Sequence, residues 1–211
     1  MKGLFISGSG TDVGKTFIAT KLVRLLSKTR QVAVRKPVES DCQQVNAQLV
    51  TKDAAALLES SNVDEDINTV CAYQFSQCCS AEQASIASGV DLGLSQLVDA
   101  CASDHYVVVE GAGGLLSPMA LNTLNIDLAV ALGLPVVIVV KDELGAVNQA
   151  LLTLKVAIQH QLTVAGVVLN QFEPNTLNNA EVIEHYGGCK VVVYNGQNPS
   201  DFELSLQKLL V

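Results

Sequence analysis

Four things are absent from this 211-residue chain, and each absence closes off a class of protein. It has no long linker and no low-complexity tract, so nothing divides it, and its length suits one α/β domain, residues 1–211, with a full core. It has no apolar stretch long enough to cross a bilayer. Although 49% of the residues are hydrophobic and only 16% are charged, the apolar runs are short and repeatedly broken by Gly, Pro, Asp or Asn. It has no CxxC pair: of Cys42, Cys71, Cys78, Cys79, Cys101 and Cys189, only Cys78 and Cys79 are adjacent. Reduced thiols are therefore expected, without a metal or disulfide role. Finally, it has no basic patch, because the net charge is −8 and the lysines and arginines are scattered, which argues against nucleic acid or an anionic membrane as a partner. A local positive site for phosphate remains open. The stretch Met1 to Ser7 enters directly into a strand-like apolar run, without the layout of a secretory signal, so a cytoplasmic protein is expected.

What is present is a rhythm. Leu4 to Ser7, Gln31 to Val34, Tyr106 to Val109, Val136 to Val140, Val164 to Leu169 and Lys190 to Tyr194 read as strands, most of them apolar on both faces. Helix-like segments lie between them, including Thr16 to Leu26, Asp53 to Leu58, Gly145 to Gln159 and Asn179 to His185. Continuous apolar strands alternating with helices imply a three-layer α/β sandwich, a mostly parallel sheet covered by helices on both faces. Such a sheet carries its ligand loops at the carboxyl ends of its strands, and the chemically distinctive residues fall just there.

The first strand leads into Gly8-Ser9-Gly10-Thr11-Asp12-Val13-Gly14-Lys15-Thr16, and a helix with apolar Phe17, Ile18, Leu22, Val23 and Leu26 follows. Glycines let successive backbone N–H groups turn toward phosphate oxygens, the helix start adds partial positive charge, and Lys15 adds a full one. The Thr16 hydroxyl is placed for Mg²⁺. Gly8 stands one residue further from Gly14 than the common phosphate-loop spacing requires, but GKT between a strand and a helix points to nucleotide binding. The resulting fold expectation is P-loop NTPase-like.

Three more strand ends carry candidates. Glu110 ends the apolar run Val107-Val108-Val109 and precedes Gly111-Ala112-Gly113-Gly114, where small residues allow backbone to approach a substrate. A carboxylate at that place suits Mg²⁺, which prefers oxygen ligands and keeps several waters. Asp53 opens a helix-like segment, so helix capping and metal binding both account for it. Lys36-Pro37-Val38-Glu39-Ser40 follows the second strand; Lys36 could stabilise negative charge there, and an exposed lysine is the ordinary reading.

Together and in this order, these segments resemble the dethiobiotin synthetase family of the deviant P-loop group. The likeness covers nearly the whole chain to about Gln171, and the extra P-loop residue is itself similar to the family pattern. The resemblance implies an ATP-dependent enzyme that joins CO₂ to 7,8-diaminononanoate in biotin biosynthesis, with Mg²⁺ as cofactor. It implies a nucleotide site at Asp12, Val13, Gly14, Lys15, Thr16, Phe17, Asp53, Glu110, Gly111, Ala112, Gly113 and Asn170, the last contacting adenine. Mg²⁺ would be held by Thr16, Asp53 and Glu110. Lys15 and Lys36 would be catalytic, and the diamine would meet Thr11, Lys36, Ser40, Gly145 and Asn148. The substrate's carboxylate tail would reach a neighbouring subunit near Leu144 to Asn148, which makes a homodimer the expected unit.

The chain departs from the family in places. Asp142-Glu143 puts two carboxylates beside a site meant for a carboxylate. Asn195-Gly196-Gln197-Asn198-Pro199 stands where the family commonly has an Ile-Pro turn, and Gln74 to Gln83 lacks the usual proline-rich stretch, so an altered loop is expected there. A partition-type ATPase switch is the main rival, but it would want a further lysine early in the P-loop, where this chain has Gly8-Ser9-Gly10. A catalytically altered nucleotide-binding paralogue is another. The histidines, His105, His160 and His185, lie outside every motif.

Overall fold

A computed structural model describes residues 1–46, 48–196 and 199–209, and so leaves Gln197 and Asn198 of the anomalous turn outside the described residues. Six strands form the central sheet: β1 (Gly3–Gly8), β2 (Val32–Arg35), β3 (Tyr106–Gly114), β4 (Val136–Lys141), β5 (Val164–Asn170) and β6 (Val191–Tyr194). Their order is β6-β5-β4-β1-β3-β2, and every adjacent pair is parallel. The larger helices are α1 (Lys15–Leu26), α2 (Lys52–Ser60), α3 (Ala81–Ala87), α4 (Leu94–Ala100), α5 (Asn125–Leu132), α6 (Ala146–Gln159), α7 (Asn179–Gly187) and α8 (Pro199–Leu209).

Why the strands are apolar on both faces is plain from the packing. Successive side chains point to opposite sides of a strand. Leu4 and Ile6 join Val34, Val108 and Val139 in a core closed by Ile18 and Leu22 of α1, Leu57 of α2 and Leu206 of α8. Phe5 joins Val109, Ile138 and Leu169 in a second core, closed by Leu97, Ile126, Leu154 and Ile183 from α4 to α7. The three-layer arrangement expected from the sequence is therefore the arrangement found. In it β1 lies between β4 and β3, and the loops leaving these three strands diverge above its carboxyl end, which leaves the crevice where such sheets take ligands.

Two strands run further than their apolar stretches. β3 continues past Glu110 to Gly114, pairing Ile6 with Glu110 and Gly8 with Gly114 across an irregularity in register. The residues after Glu110 are small enough to lie against the phosphate loop, with the Gly114 Cβ position 3.3 Å from the Gly8 carbonyl oxygen. β5 likewise includes Asn170 as its last residue. The helices α3, α4, α5 and α8 carry weaker signals. α5, Asn-Ile-Asp-Leu-Ala-Val-Ala-Leu, is apolar nearly all round and shows little of the one-sided stripe that marks a surface helix. The Gln74 to Gln83 region forms a short strand, Tyr73–Gln74, paired with Val38–Glu39, and then a loop ending at the Ser80 cap of α3.

Candidate active site

The phosphate loop is shaped by glycine and closed from below by an asparagine. Gly14 has φ 87° and caps α1 in the left-handed region, where a side chain would be strained; its Cβ position lies 2.0 Å from Asn170 Nδ2. Asn170, fully buried, donates from Nδ2 to the Val13 carbonyl at 3.1 Å. α1 has no side-chain cap and no acidic residue in its first turn, so its opening N–H groups and positive dipole end are left for an anion. Lys15 bends back, donating to the Gly10 carbonyl at 2.9 Å.

Around the loop's end four strand and helix termini deliver one connected set of charges. The Thr16 hydroxyl donates to Glu110 Oε1 at 2.8 Å. Lys36 Nζ donates to the same Glu110 oxygen at 2.6 Å and to Asp53 Oδ2 at 2.9 Å. The structure thus brings Thr16, Lys36, Asp53 and Glu110 into one cluster, with Lys15 close enough to feel the charges of Lys36, Glu110 and Asp53. Their exposure differs from expectation: Lys36 is 3% and Lys15 is 7% exposed, because β3 continues past Glu110 and covers what would have been open strand ends.

The two lysines respond oppositely to burial. For Lys36, desolvation alone would lower the pKa, but the charges and hydrogen bonds of Glu110 and Asp53 carry it well above the ordinary lysine value. For Lys15, desolvation and then the nearby Lys36 charge lower it, only partly offset by Glu110 and Asp53. Asp53 is pushed upward by burial, yet the Lys36 charge and hydrogen bonds from Lys36 and Thr16 hold it below the usual carboxylate range.

The donors fit a hard divalent cation. Glu110 is completely buried, and its second oxygen, Oε2, has no hydrogen-bond partner among the described residues. With the Thr16 hydroxyl and Asp53 it offers oxygens only. No group of three or more His, Cys, Asp or Glu suited to a metal occurs among the described residues. The capping role weighed for Asp53 falls to another residue: Asp53 is the second residue of α2, and its backbone N–H is held by the Glu39 carboxylate.

The sequence motifs did not mark Glu39. They also missed Asn125, fully buried at the start of α5, whose Nδ2 donates to the Gly114 carbonyl at 3.1 Å and whose amide lies against Gly111, where a Cβ would stand 2.3 Å from Oδ1. Neither belongs to a recognisable phosphate-loop or strand-end pattern, so only folding reveals them.

The remaining predicted residues lie on the neighbouring loops and helix starts. Thr11 is exposed on the loop, Ala112 is half-buried, and Gly113 (φ 69°) faces Ser117. Ser40 donates from Oγ to the Cys79 carbonyl at 2.8 Å. Phe17, partly exposed beside Thr16, sets its ring edge-on to Tyr194 at 4.9 Å. Gly145 (φ 97°) caps α6, Asn148 is exposed on its first turn, and the next residue, Gln149, accepts from Ser9 Oγ at 3.3 Å. Asp142 and Glu143 each have partners of their own. Asp142 is buried and accepts from Asn179 at 2.7 Å and Gln171 at 3.2 Å, while Glu143 pairs with Lys141 at 2.7 Å. Both acids line a cavity of about 510 Å³, together with Asp12, Lys141, Leu144 and Phe172.

A glycine loop between β1 and α1, backed by a lysine and an oxygen-rich cluster at the centre of a parallel sheet, defines a P-loop nucleotide-binding protein. A family profile described as an AAA domain matches residues 2–199. A ParA family ATPase from Chlorobium tepidum superposes with a TM-score of 0.57 at 15% identity, covering 100% of this chain and 92% of its own, a likeness of fold alone. Sequence narrows the class. The chain is 53% identical over 211 residues to the ATP-dependent dethiobiotin synthetase BioD of Vesicomyosocius okutanii, covering 100% of this chain and 98% of that one. It is 38% identical over 192 residues to the protein of the same name from Anaeromyxobacter dehalogenans, covering 86% of this chain and 84% of that one. The chain belongs to the ATP-dependent dethiobiotin synthetase family.

Proposed function

We propose that the protein catalyses the ATP-dependent carboxylation of 7,8-diaminononanoate, closing a ureido ring to give dethiobiotin, ADP and phosphate. The observation that carries this reading is the placement of Lys36: its ammonium bridges Asp53 and Glu110 while Thr16, from the phosphate loop, shares the same Glu110 oxygen. In this reading the Lys36 ammonium is the group that meets the transferring phosphoryl where the second substrate enters.

In this reaction one amine attacks CO₂ and, on losing a proton, becomes a carbamate. A carbamate oxygen attacks the γ-phosphorus and ADP departs; the second amine then attacks the carbonyl carbon of the mixed anhydride and expels phosphate. The substrate supplies both nucleophiles, which suits a site with no serine, cysteine or histidine pair in its centre. The protein's part is orientation and charge stabilisation, the usual means in phosphoryl transfer. Lys15 neutralises the phosphate oxygens from beneath the loop, and Lys36 does so for the carbamate and transferring phosphoryl oxygens. Thr16, Asp53 and Glu110 would hold Mg²⁺, which when bound supplies further neutralisation of the triphosphate. Backbone from Glu110 to Gly113 lies close to both substrates, Thr11 and Ser40 contact the diamine end, and Asn170, while holding the loop, stands near the adenine with Phe17.

The first turn of α6, Gly145 to Asn148, presents oriented N–H groups to the substrate carboxylate, donated across a homodimer interface. No described helix is long and apolar enough to cross a membrane, and a cytoplasmic enzyme is the reading that suits its small-molecule substrates. Turnover of ATP by the purified protein with bicarbonate, Mg²⁺ and diaminononanoate, each omitted in turn, tests the assignment. Dethiobiotin should form only when all are present, and ATP hydrolysis indifferent to the diamine would overturn it.

A further inference from the structure

Glu39 is a buried carboxylate to which, among the described residues, no lysine or arginine is hydrogen-bonded. It lies on the short strand Val38–Glu39, between Lys36 and Ser40, and is 7% exposed. Its two oxygens are both spent on α2: Oε1 accepts from the Asp53 N–H at 3.1 Å and Oε2 from the Ala54 N–H at 2.9 Å. These are first-turn donors of a helix whose own N-cap residue, Thr51, makes no side-chain hydrogen bond. A carboxylate from a different element therefore does what a local cap ordinarily does, and it adds a favourable charge at the positive end of the helix.

The attachment has a geometric consequence that a local cap would lack. Glu39 is itself fixed, because its carbonyl accepts from Phe75 N–H at 2.9 Å and its strand pairs with Tyr73–Gln74. Gripping two consecutive amides from a fixed point sets both the height and the rotation of the first turn of α2. Asp53 is in that turn, and its carboxylate faces Lys36 Nζ at 2.9 Å. The segment from Lys36 to Ser40 and the start of α2 are thus joined twice: by the Lys36–Asp53 side-chain pair and by the Glu39 carboxylate on the backbone.

We infer that Glu39 is a positioning residue for the cation site, holding the backbone of residues 53 and 54 so that the Asp53 carboxylate is aimed at the divalent metal. The inference rests on the reading of Asp53 as a Mg²⁺ ligand, and the experiment separates the two. ADP binding is titrated by calorimetry in EDTA and across a range of Mg²⁺ concentrations, for the wild type, Glu39→Gln, Glu39→Ala and Asp53→Asn. Glutamine keeps the volume and one acceptor, so it guards against a variant that fails to fold. Glu39→Gln is expected to raise the Mg²⁺ concentration for half-maximal enhancement of ADP binding about threefold and Glu39→Ala about tenfold, since glutamine keeps one acceptor for α2 and alanine keeps neither. ADP affinity in EDTA should stay at the wild-type value in both. A Mg²⁺ requirement that is unmoved in the Glu39 variants while Asp53→Asn shifts it overturns the inference alone. An Asp53→Asn protein with wild-type Mg²⁺ dependence overturns the metal assignment, and the inference with it. Equal loss of ADP affinity with and without Mg²⁺ in the Glu39 variants makes Glu39 a general structural support and also overturns the inference.

Discussion

The loops that leave β2 and β3 differ in kind from those that leave β4 and β5. On the first side, charge-bearing groups are locked together: the buried Lys36 holds the buried Glu110 and the partly exposed Asp53, and Glu110 also holds Thr16. On the second side the single buried acid, Asp142, is met by the amides of Gln171 and Asn179, and the outward residues Leu144, Phe172 and Leu177 are apolar and exposed. The contrast matches the division of labour proposed for the enzyme. Moving a phosphoryl group requires full charges that do not reorganise during the reaction. Holding the adenine, proposed beside Asn170 and Phe17, requires apolar surface and loops kept in shape by neutral hydrogen bonds.

The largest effect should come from removing either lysine. Lys15→Met and Lys36→Met are each expected to lower the rate of dethiobiotin formation by at least about 10³-fold, the scale of a lost charge-stabilising group in a water-excluded site. Single-turnover kinetics with labelled bicarbonate measures this. Retained turnover in Lys36→Met would remove that residue from the mechanism and dissolve the contrast between the two sides.

Stability should separate the lysines that activity does not. Lys36→Met leaves Glu110 buried without its cation, a loss on the order of 3–5 kcal/mol. Lys15 donates to one carbonyl and sits under the repulsion of Lys36, so Lys15→Met should cost under about 1 kcal/mol. Urea unfolding compares them directly. The pH dependence of the Lys36→Met deficit has a definite sign. Asp53 is depressed in the folded state, so its share is present above the ordinary aspartate pKa and lost as pH falls through the folded value. Lys36 is raised, so its share is complete below the ordinary lysine pKa and lost only above it, as pH rises through the folded value. The deficit should be level between about pH 5 and pH 9 and shrink in acid. A deficit that shrinks steadily across neutral pH would contradict the Lys36–Asp53 pairing.

A smaller effect is expected from Asp142→Ala, which strips the amides of Gln171 and Asn179 of their acceptor. The cost should be about 1–3 kcal/mol, and the loops after β4 and β5 should loosen. KM for ATP should rise more than KM for the diamine, because the Asp142 N–H donates to the Asn170 carbonyl at 2.9 Å. The reverse pattern would mean that this side serves the diamine alone.

Much of this site was legible because its parts are local. Gly14, Lys15 and Thr16 announce themselves by spacing, and Glu110 by ending an apolar strand ahead of small residues. The six strands were legible because burial on both faces forces runs of Val, Ile and Leu. What escaped depends on contacts between segments distant in sequence. The burial of Lys36 follows from β3 running on to Gly114, which a glycine-rich stretch does not advertise as strand. Asp53 is free of capping duty only because Glu39, fourteen residues away, takes it. Asp142 and Glu143 looked like misplaced charge until Asn179 and Lys141 were seen to hold them, and neither partner follows from a motif.

The smallest effect tests that last point. Glu143 is about half exposed and pairs with Lys141 at the surface, and such pairs are worth little. Glu143→Gln should therefore leave stability within about 0.5 kcal/mol of the parent. It also frees Lys141, next to the cavity edged by Leu144 and Phe172. If the diamine's carboxylate is held near the start of α6, this added positive field should lower its KM by a few-fold at low salt. A Debye length of about 8 Å at physiological ionic strength should erase most of the gain. An unchanged KM at low salt would place the tail beyond the reach of Lys141 and move the carboxylate site away from this entrance.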